Sequence, residues 1–154
     1  METETLIRDA TAGDEAAWRT LWADYIAFYK AAVPEAVTAL TWSRALDPTS
    51  PVIIRLAVAG DGGAVGFSAS VIHLATWSAA PVCYLEDLFV APGARGRRVG
   101  KALIDDLAAL GVERRWSRLY WHTRQSNHAA RSLYDRFAAA DDFVRYRLAL
   151  DPSD

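Results

Sequence analysis

Two periodicities of apolar residues run through the chain, and each is typical of one kind of secondary structure. Apolar side chains recur every three or four residues in segments that also carry helix start or stop signals, such as Pro34. The four predicted helices are residues 13–30, 34–46, 98–114 and 126–139. Shorter stretches alternate apolar with polar residues or are apolar throughout, which indicates strands. The six predicted strands are residues 5–9, 52–59, 64–76, 80–90, 118–123 and 143–150.

The order of these elements, β-α-α-β-β-β-α-β-α-β, predicts an α/β (α+β) fold built on a central mixed sheet. The turn sequence GDGG at 60–63 joins two strands as a hairpin, whereas the helix at 98–114 makes a crossover between two strands. No linker or repeat interrupts the chain, so we expect residues 1–154 to form a single domain. Ligands on such sheets favour the carboxyl ends of strands where the connection changes direction, which here is the point after Val90.

Composition narrows the possible partners. The formal net charge of −2 gives no overall preference for nucleic acid or acidic membranes, so we expect neither as a partner. Residues 62–85 lack Asp, Glu, Lys and Arg, but their Gly, Ser, Thr, His and Pro favour two strands over a membrane span. Cys83 is the single cysteine and stands in an apolar strand, which predicts a buried thiol and a reducing, cytoplasmic setting. The spacing of Cys and His predicts no metal site.

The segment ARGRRVGKA, residues 94–102, concentrates basic residues and glycines at a predicted strand-to-helix junction. The first turn of a helix has backbone N–H groups without partners and a positive dipole end, and glycine lets an anion approach them. The segment therefore predicts a phosphate site, most naturally for a pyrophosphate. A Walker loop would need one more residue and a hydroxyl at Ala102, and G-x-G-x-x-G is absent. A solvent-exposed basic helix start is the remaining alternative.

With this motif, the order of elements resembles the GNAT superfamily of acetyl-CoA-dependent N-acetyltransferases. The resemblance is closest to the spermidine/spermine (diamine) and histone/polyamine acetyltransferase branch. It rests on YLEDLFV at 84–90, RGRRVGKALI at 95–104 and YWHTRQSNHAARSLYDR at 120–136. The cofactor signature of that family, Q/R-x-x-G-x-G/A, maps onto Arg95 to Gly100, with Arg98 in place of the first glycine. The resemblance implies a GNAT-like three-layer fold.

The same resemblance implies which residues bind acetyl-CoA. Leu88, Phe89 and Val90 would offer strand backbone to the pantetheine arm and the acetyl carbonyl, and Asn127 would reach the cofactor from the last helix. The pyrophosphate would lie against Arg95, Gly96, Arg97, Arg98, Val99, Gly100 and Lys101. The implied reaction requires no metal.

The resemblance also implies two catalytic roles. Tyr134 would be the general acid that protonates the leaving thiolate, and Glu86 would be the general base for the amine. By strand alternation Glu86 shares a face with Leu88 and Val90, where apolar neighbours would raise its pKa, whereas Asp87 faces the other way. Core packing of Tyr134 and a structural ion pair at Glu86 are the alternatives.

Further aromatic and polar residues are weaker candidates. Tyr25, Tyr29 and Trp42, together with Glu86, are the candidate substrate-binding residues, although core packing explains the three aromatic side chains equally well. The three histidines form no triad and no metal spacing, so we expect satisfied polar side chains at all of them. They are His73, His122 and His128.

These features predict an acetyl-CoA-dependent N-acetyltransferase in which a primary amine attacks the thioester directly. The acceptor would be a small molecule, either a diamine or polyamine or an amino-acid-like compound. A protein lysine or N-terminal acetyltransferase and a non-catalytic acyl-CoA-binding module are the alternatives. We also expect a homodimer, from the branch resemblance and from the abundance of aromatic residues in so small a chain.

Overall fold

The computed structural model describes residues 4–152, which form two compact units, one ending at His122 and the other beginning at Thr123. The elements of the first unit are β1 (Leu6–Asp9), α1 (Glu15–Phe28), α2 (Glu35–Leu46), β2 (Val52–Val58), β3 (Ala64–His73), β4 (Val82–Val90), α3 (Val99–Arg114) and β5 (Arg118–Tyr120). The second unit contains α4 (His128–Tyr134). None of the described helices is long and apolar enough to cross a membrane. The prediction of a single domain stays a prediction.

The five strands form one mixed sheet in the order β1-β2-β3-β4-β5. The first four strands pair antiparallel, and β5 pairs parallel with β4 after the crossover through α3. This arrangement confirms the predicted fold class and the predicted mixed sheet, because a helix crossover returns the chain in the parallel direction.

The predicted closing strand at 143–150 is wrong, since these residues form no strand. Their large apolar side chains are 76–94% exposed and comprise Phe143, Val144, Tyr146, Leu148 and Leu150. The alternating pattern is present, but a strand also needs a neighbour for its backbone hydrogen bonds. Within residues 4–152 the sheet ends at β5, and no strand pairs with this segment.

The core on the α1 and α2 side of the sheet is built from stacked aromatic rings. Trp18 is fully buried, and its ring centroid lies 5.1 Å from that of Trp22 and 5.2 Å from that of Trp42. Phe67 of β3 and Phe89 of β4 complete this cluster from the sheet. Trp42 is therefore a core residue, which agrees with core packing, the alternative to a substrate-binding role.

The opposite face of the sheet is covered by α3. Val99 and Leu103 are buried there against Ala57 of β2, with Leu88 and Val90 of β4 packed around them. Because adjacent residues of β4 contribute to different clusters, both faces of this strand are covered, which explains its nearly continuous apolar sequence.

Charged contacts fix the helices to the sheet. Arg55 of β2 donates two hydrogen bonds to Asp106 of α3, at 2.9 and 2.7 Å. Before α1, the Asp14 carboxylate accepts hydrogen bonds from the Thr11 backbone N–H at 2.8 Å and from both terminal nitrogens of Arg8. The Arg8 hydrogen bond is the main reason why the pKa of Asp14 is well below its usual range. Thr11 and Asp14 thus form a capping box at the start of the first helical region.

Candidate active site

A β-bulge interrupts the pairing of β3 with β4 at Glu86. Ala69 pairs with Asp87 and Ser70 pairs with Leu85, so Glu86 has no partner in the register. Its side chain is exposed to solvent. The expectation that Glu86 lies among the apolar neighbours Leu88 and Val90 is therefore wrong, because a bulge breaks the strict two-residue alternation on which it depended.

The bulge turns Asp87 toward α1. Ala69, opposite Asp87, belongs to the aromatic core on that side, and the Tyr25 hydroxyl donates a 2.8 Å hydrogen bond to Asp87 Oδ1. Burial raises the pKa of Asp87 to about 6, while the hydrogen bond from Tyr25 lowers it and the charge of Glu86 raises it. Burial is likewise the main reason why the pKa of the Tyr25 phenol is well above its usual range.

The carboxyl-terminal half of β4 has an open edge in the described part of the chain. Strand β3 pairs along the length of β4, but β5 pairs only with Val82–Tyr84. From Leu85 onward the backbone facing away from β3 has no strand neighbour, so its N–H and C=O groups can bind an extended ligand. On the paired side, β3 packs closely against β4, since a Cβ on Gly66 would lie 2.8 Å from the Phe89 carbonyl oxygen.

The chain leaves β4 through a tight junction that ends at the first turn of α3. Gly96 has φ of 83° and Arg98 has φ of 61°, so both have left-handed backbone. For a non-glycine residue this conformation costs about 1 kcal/mol or more, and Arg98 replaces the family's first glycine at this position. The first turn of α3 carries no acidic residue. As in any helix, the first backbone N–H groups have no hydrogen-bond acceptor within the helix.

The cations of the junction differ in their surroundings. Arg95 donates from Nε to the Val90 carbonyl at 3.2 Å, and its guanidinium lies 5.7 Å from the Phe28 ring centroid and 5.8 Å from that of Phe89. Lys101 forms an ion pair with Asp105 at 2.6 Å. Arg97 and Arg98 are exposed. The junction thus presents three exposed arginines beside a helix N-terminus, and the guanidinium of one of them, Arg95, lies over two aromatic rings.

In the second unit, Asn127 caps α4. Its side-chain oxygen accepts a 3.4 Å hydrogen bond from the Ala130 N–H, and its Nδ2 donates to Thr123 Oγ1 at 3.3 Å. Tyr134 is the last residue of α4 and is partly exposed, and no residue of this helix is buried.

The remaining candidates of the first unit have satisfied or inert side chains. His73 Nε2 lies 2.7 Å from the Tyr120 hydroxyl, and His122 Nδ1 lies 3.2 Å from the Tyr84 hydroxyl, as expected for satisfied polar residues. Cys83 is buried as predicted, and burial raises the pKa of its thiol to about 11, so it is protonated near neutrality. Residues 4–152 contain no cluster of three metal-ligating side chains.

Comparison with known proteins identifies the class of enzyme. Residues 15–139 match the model of the acetyltransferase (GNAT) family. Because the match spans most of the chain, this protein belongs to the GNAT acetyltransferase family, and it is an N-acetyltransferase. Members of this family use acetyl-CoA.

The relatives differ in what they act on. The chain is 36% identical over 135 residues to the D-amino-acid N-acetyltransferase HPA3 of Saccharomyces cerevisiae, covering 87% of this chain and 84% of that protein. A probable acetyltransferase of known structure has a TM-score of 0.84 at 22% identity, covering 96% of this chain and 99% of its own. The enzyme AAC(6')-Iy, solved with the bisubstrate analogue CoA-S-monomethyl-acetylneamine, has a TM-score of 0.80 at 22% identity, covering 96% and 100%. The diamine and polyamine branch stays a prediction.

Proposed function

We propose that this enzyme transfers the acetyl group of acetyl-CoA to a primary amine of a small molecule, either a diamine or polyamine or an amino-acid-like compound. The observation that carries the proposal is the open edge of β4 leading directly into the Arg-Gly junction and the first turn of α3. An extended chain ending in a pyrophosphate needs this combination of exposed strand backbone followed by helix N–H groups.

The residues present fit acetyl-CoA. Leu88, Phe89 and Val90 would bind its pantetheine arm through backbone groups, since their side chains pack into the two core clusters. The pyrophosphate would lie against the segment from Arg95 to Lys101, where Gly96, Val99 and Gly100 contribute backbone and the arginines contribute charge. When bound, acetyl-CoA supplies the activated acyl group and a thiolate leaving group. Asn127 would contact it from α4.

Two side chains would move the protons. An alkyl amine with a pKa of about 10 arrives protonated, so it must lose a proton before it attacks. Glu86 would accept that proton through water, because its side chain is exposed at the bulge. We expect Glu86→Gln to lower kcat while leaving the KM of the amine unchanged. Wild-type kcat in this variant would remove Glu86 from the mechanism.

Tyr134 would protonate the thiolate as coenzyme A leaves. A phenol keeps its proton at neutral pH and can donate it to a developing thiolate. Removing only the hydroxyl, as in Tyr134→Phe, changes almost no volume and therefore isolates this role.

The test of the proposed function is amine-dependent release of free coenzyme A. We expect release above the rate without amine for polyamines or D-amino acids, in a panel that also contains amino sugars. If no amine raises thiol release above the rate measured without amine, the result would contradict the proposal and favour a non-catalytic acyl-CoA-binding module.

We also propose that the protein is a homodimer. Segment 143–150 exposes alternating apolar side chains, and β5 has one strand neighbour in the described sheet. In two copies, the segment of each chain could complete the sheet edge of the other, which would remove apolar surface from water. Light scattering at tens of micromolar protein should give the mass of two chains, and the mass of one chain would reject the proposal.

A further inference from the structure

The carboxylate of Asp87 is partly buried without a cationic partner. In residues 4–152, the Tyr25 hydroxyl is its one side-chain hydrogen-bond donor, and no Lys or Arg forms an ion pair with it. Withdrawing a charge from water is costly unless an opposite charge compensates it. A carboxylate kept in this state is suited to receive a cation from outside the protein.

We propose that Asp87, oriented by Tyr25, binds the ammonium group of the acceptor amine. This inference rests on the proposed function and adds to it a substrate-binding residue on the α1 side of β4. The role is distinct from that of Glu86, which would accept the proton.

The position of Asp87 on β4 fits this role. After the bulge at Glu86, the side chain of Asp87 faces α1. Leu88 and Phe89 follow directly on the strand whose open edge would hold the acyl group. Consecutive strand residues rise about 3.3 Å, so the Asp87 backbone lies within roughly 7 Å of that of Phe89. An ammonium group at Asp87 would therefore lie close to the acyl carbon that it must attack once deprotonated.

The rings around Tyr25, the hydrogen-bond donor to Asp87, favour a cation. The Tyr25 ring centroid lies 5.8 Å from those of Phe67 and Phe89, and 5.1 Å from that of Tyr29. The faces of aromatic rings attract ammonium and guanidinium groups, and the Arg95 guanidinium already lies over the Phe89 ring at 5.8 Å. These rings form an apolar wall that would strengthen the attraction between Asp87 and an ammonium group by excluding water.

The protonation of Asp87 sets the pH range in which this site can work. Its pKa is about 6, raised mainly by burial. The titratable groups near it are Tyr25 and Tyr29 on α1 and Glu86 on β4, whereas β3 contributes the uncharged Ala69. Only the carboxylate form attracts an ammonium group, so the affinity for the amine should rise as the pH increases through about 6.

The test compares four proteins with the most active amine of the panel: wild type, Asp87→Asn, Tyr25→Phe and the control Glu113→Gln. Glu113 is an exposed carboxylate on α3, so the control removes the same charge elsewhere. Loss of a charge-assisted hydrogen bond should raise the KM of the amine about 10- to 100-fold in Asp87→Asn. The KM of acetyl-CoA should stay the same, and the rise in amine affinity near pH 6 should disappear.

Tyr25→Phe provides a readout that a purely structural role would not change. The Tyr25 hydrogen bond lowers the pKa of Asp87, so its removal should shift the pH dependence of the amine KM to higher pH. The Glu113→Gln enzyme should match wild type in both parameters.

Several results would overturn the assignment. An amine KM in Asp87→Asn within about twofold of wild type would do so, and so would an equal rise in the KM of acetyl-CoA. Calorimetry with spermidine and D-lysine in the presence of coenzyme A tests binding without turnover. We expect wild type to bind at least one of the two amines and Asp87→Asn to bind it more weakly. If wild type binds neither amine, or if both proteins bind equally well, the role of Asp87 is contradicted. This binding test does not depend on turnover, so it decides the role of Asp87 separately from the thiol-release test of the proposed function.

Discussion

Strand β4 and the segment 143–150 both have apolar patterns typical of a strand, but their environments are opposite. Both alternate or run apolar in the manner of a strand, yet Val82, Cys83 and Leu85 of β4 are buried, whereas Tyr146 and Leu148 are 94% and 85% exposed. The difference lies in their neighbours. Strand β4 pairs with β3 along its length and with β5 at its start, and helices cover both its faces. An apolar pattern therefore permits a strand, but pairing and burial decide whether it forms.

The largest expected effect is the loss of turnover in Tyr134→Phe, which tests whether the second unit contributes to catalysis. Tyr134 lies in a helix without buried residues, so its role is not evident from packing. We expect Tyr134→Phe to reduce kcat by about 10²- to 10⁴-fold, the usual contribution of a general acid. Acetyl-CoA affinity measured by calorimetry should stay constant. Wild-type turnover in this variant would remove the phenol from the mechanism.

The next prediction compares two leucines directly. Leu103 is fully buried beneath the sheet, so Leu103→Ala should lower the free energy of unfolding by about 2–5 kcal/mol. Leu148 is exposed, so Leu148→Ala should change it by less than about 0.5 kcal/mol in an isolated chain.

Comparing the two leucine variants at two protein concentrations also tests the proposed dimer. If two copies bury segment 143–150, Leu148→Ala should become destabilising at tens of micromolar but not at submicromolar protein, because dimerisation stabilises by mass action. Urea unfolding at both concentrations measures this. The effect of Leu103→Ala should be the same at both, and a concentration-independent Leu148→Ala would speak against the dimer.

The third prediction uses the buried carboxylate of β4. The pKa of Asp87 is about 6 in the folded protein and 3.8 in a model peptide, so the folded state binds more protons between these values. The contribution of Asp87 to stability is therefore greatest below pH 3.8 and falls as the pH rises to about 6, by up to about 3 kcal/mol.

Asp87→Asn isolates this contribution, since an amide oxygen can still accept the Tyr25 hydrogen bond but does not titrate. Relative to wild type, the variant should gain stability as the pH rises from about 4 to about 7. Urea unfolding across this range measures the difference in the free energy of unfolding between the two proteins. Acid-sensitive contacts that both proteins share, such as Arg8–Asp14, cancel in this difference. A constant difference would mean that Asp87 is less buried than the structure shows.

The smallest effect concerns the junction after β4. Arg98 has left-handed backbone with φ of 61°, a conformation that glycine adopts without steric cost. Arg98→Gly should raise the free energy of unfolding by about 0.5–1 kcal/mol, whereas Arg98→Ala keeps the strain and should leave it nearly unchanged. Thermal unfolding distinguishes them, and equal stability of both variants would contradict the strain.

The sequence by itself determined most of the fold. The periodicities placed three of the four helices and five of the six predicted strands within a few residues of their observed positions, because each of these segments carries the pattern of the face that it buries. The fourth helix, predicted at 126–139, spans only His128–Tyr134 and buries no residue. The stop after Val90 and the glycines and arginines of 95–100 likewise predicted where the sheet leads into α3. These features are local, so they can be recognised without knowing what lies nearby.

Tertiary structure decided the rest. The bulge at Glu86 depends on the register with β3, and it leaves Glu86 exposed to solvent where apolar neighbours were expected, whereas Asp87 faces away from Leu88 and Val90 as predicted. The pair Tyr25–Asp87 joins residues far apart in sequence, so no spacing predicts it. Segment 143–150 has the residues of a strand, but within residues 4–152 no strand pairs with it. Pairing and burial are properties of two segments together, and a pattern read along one segment cannot contain them.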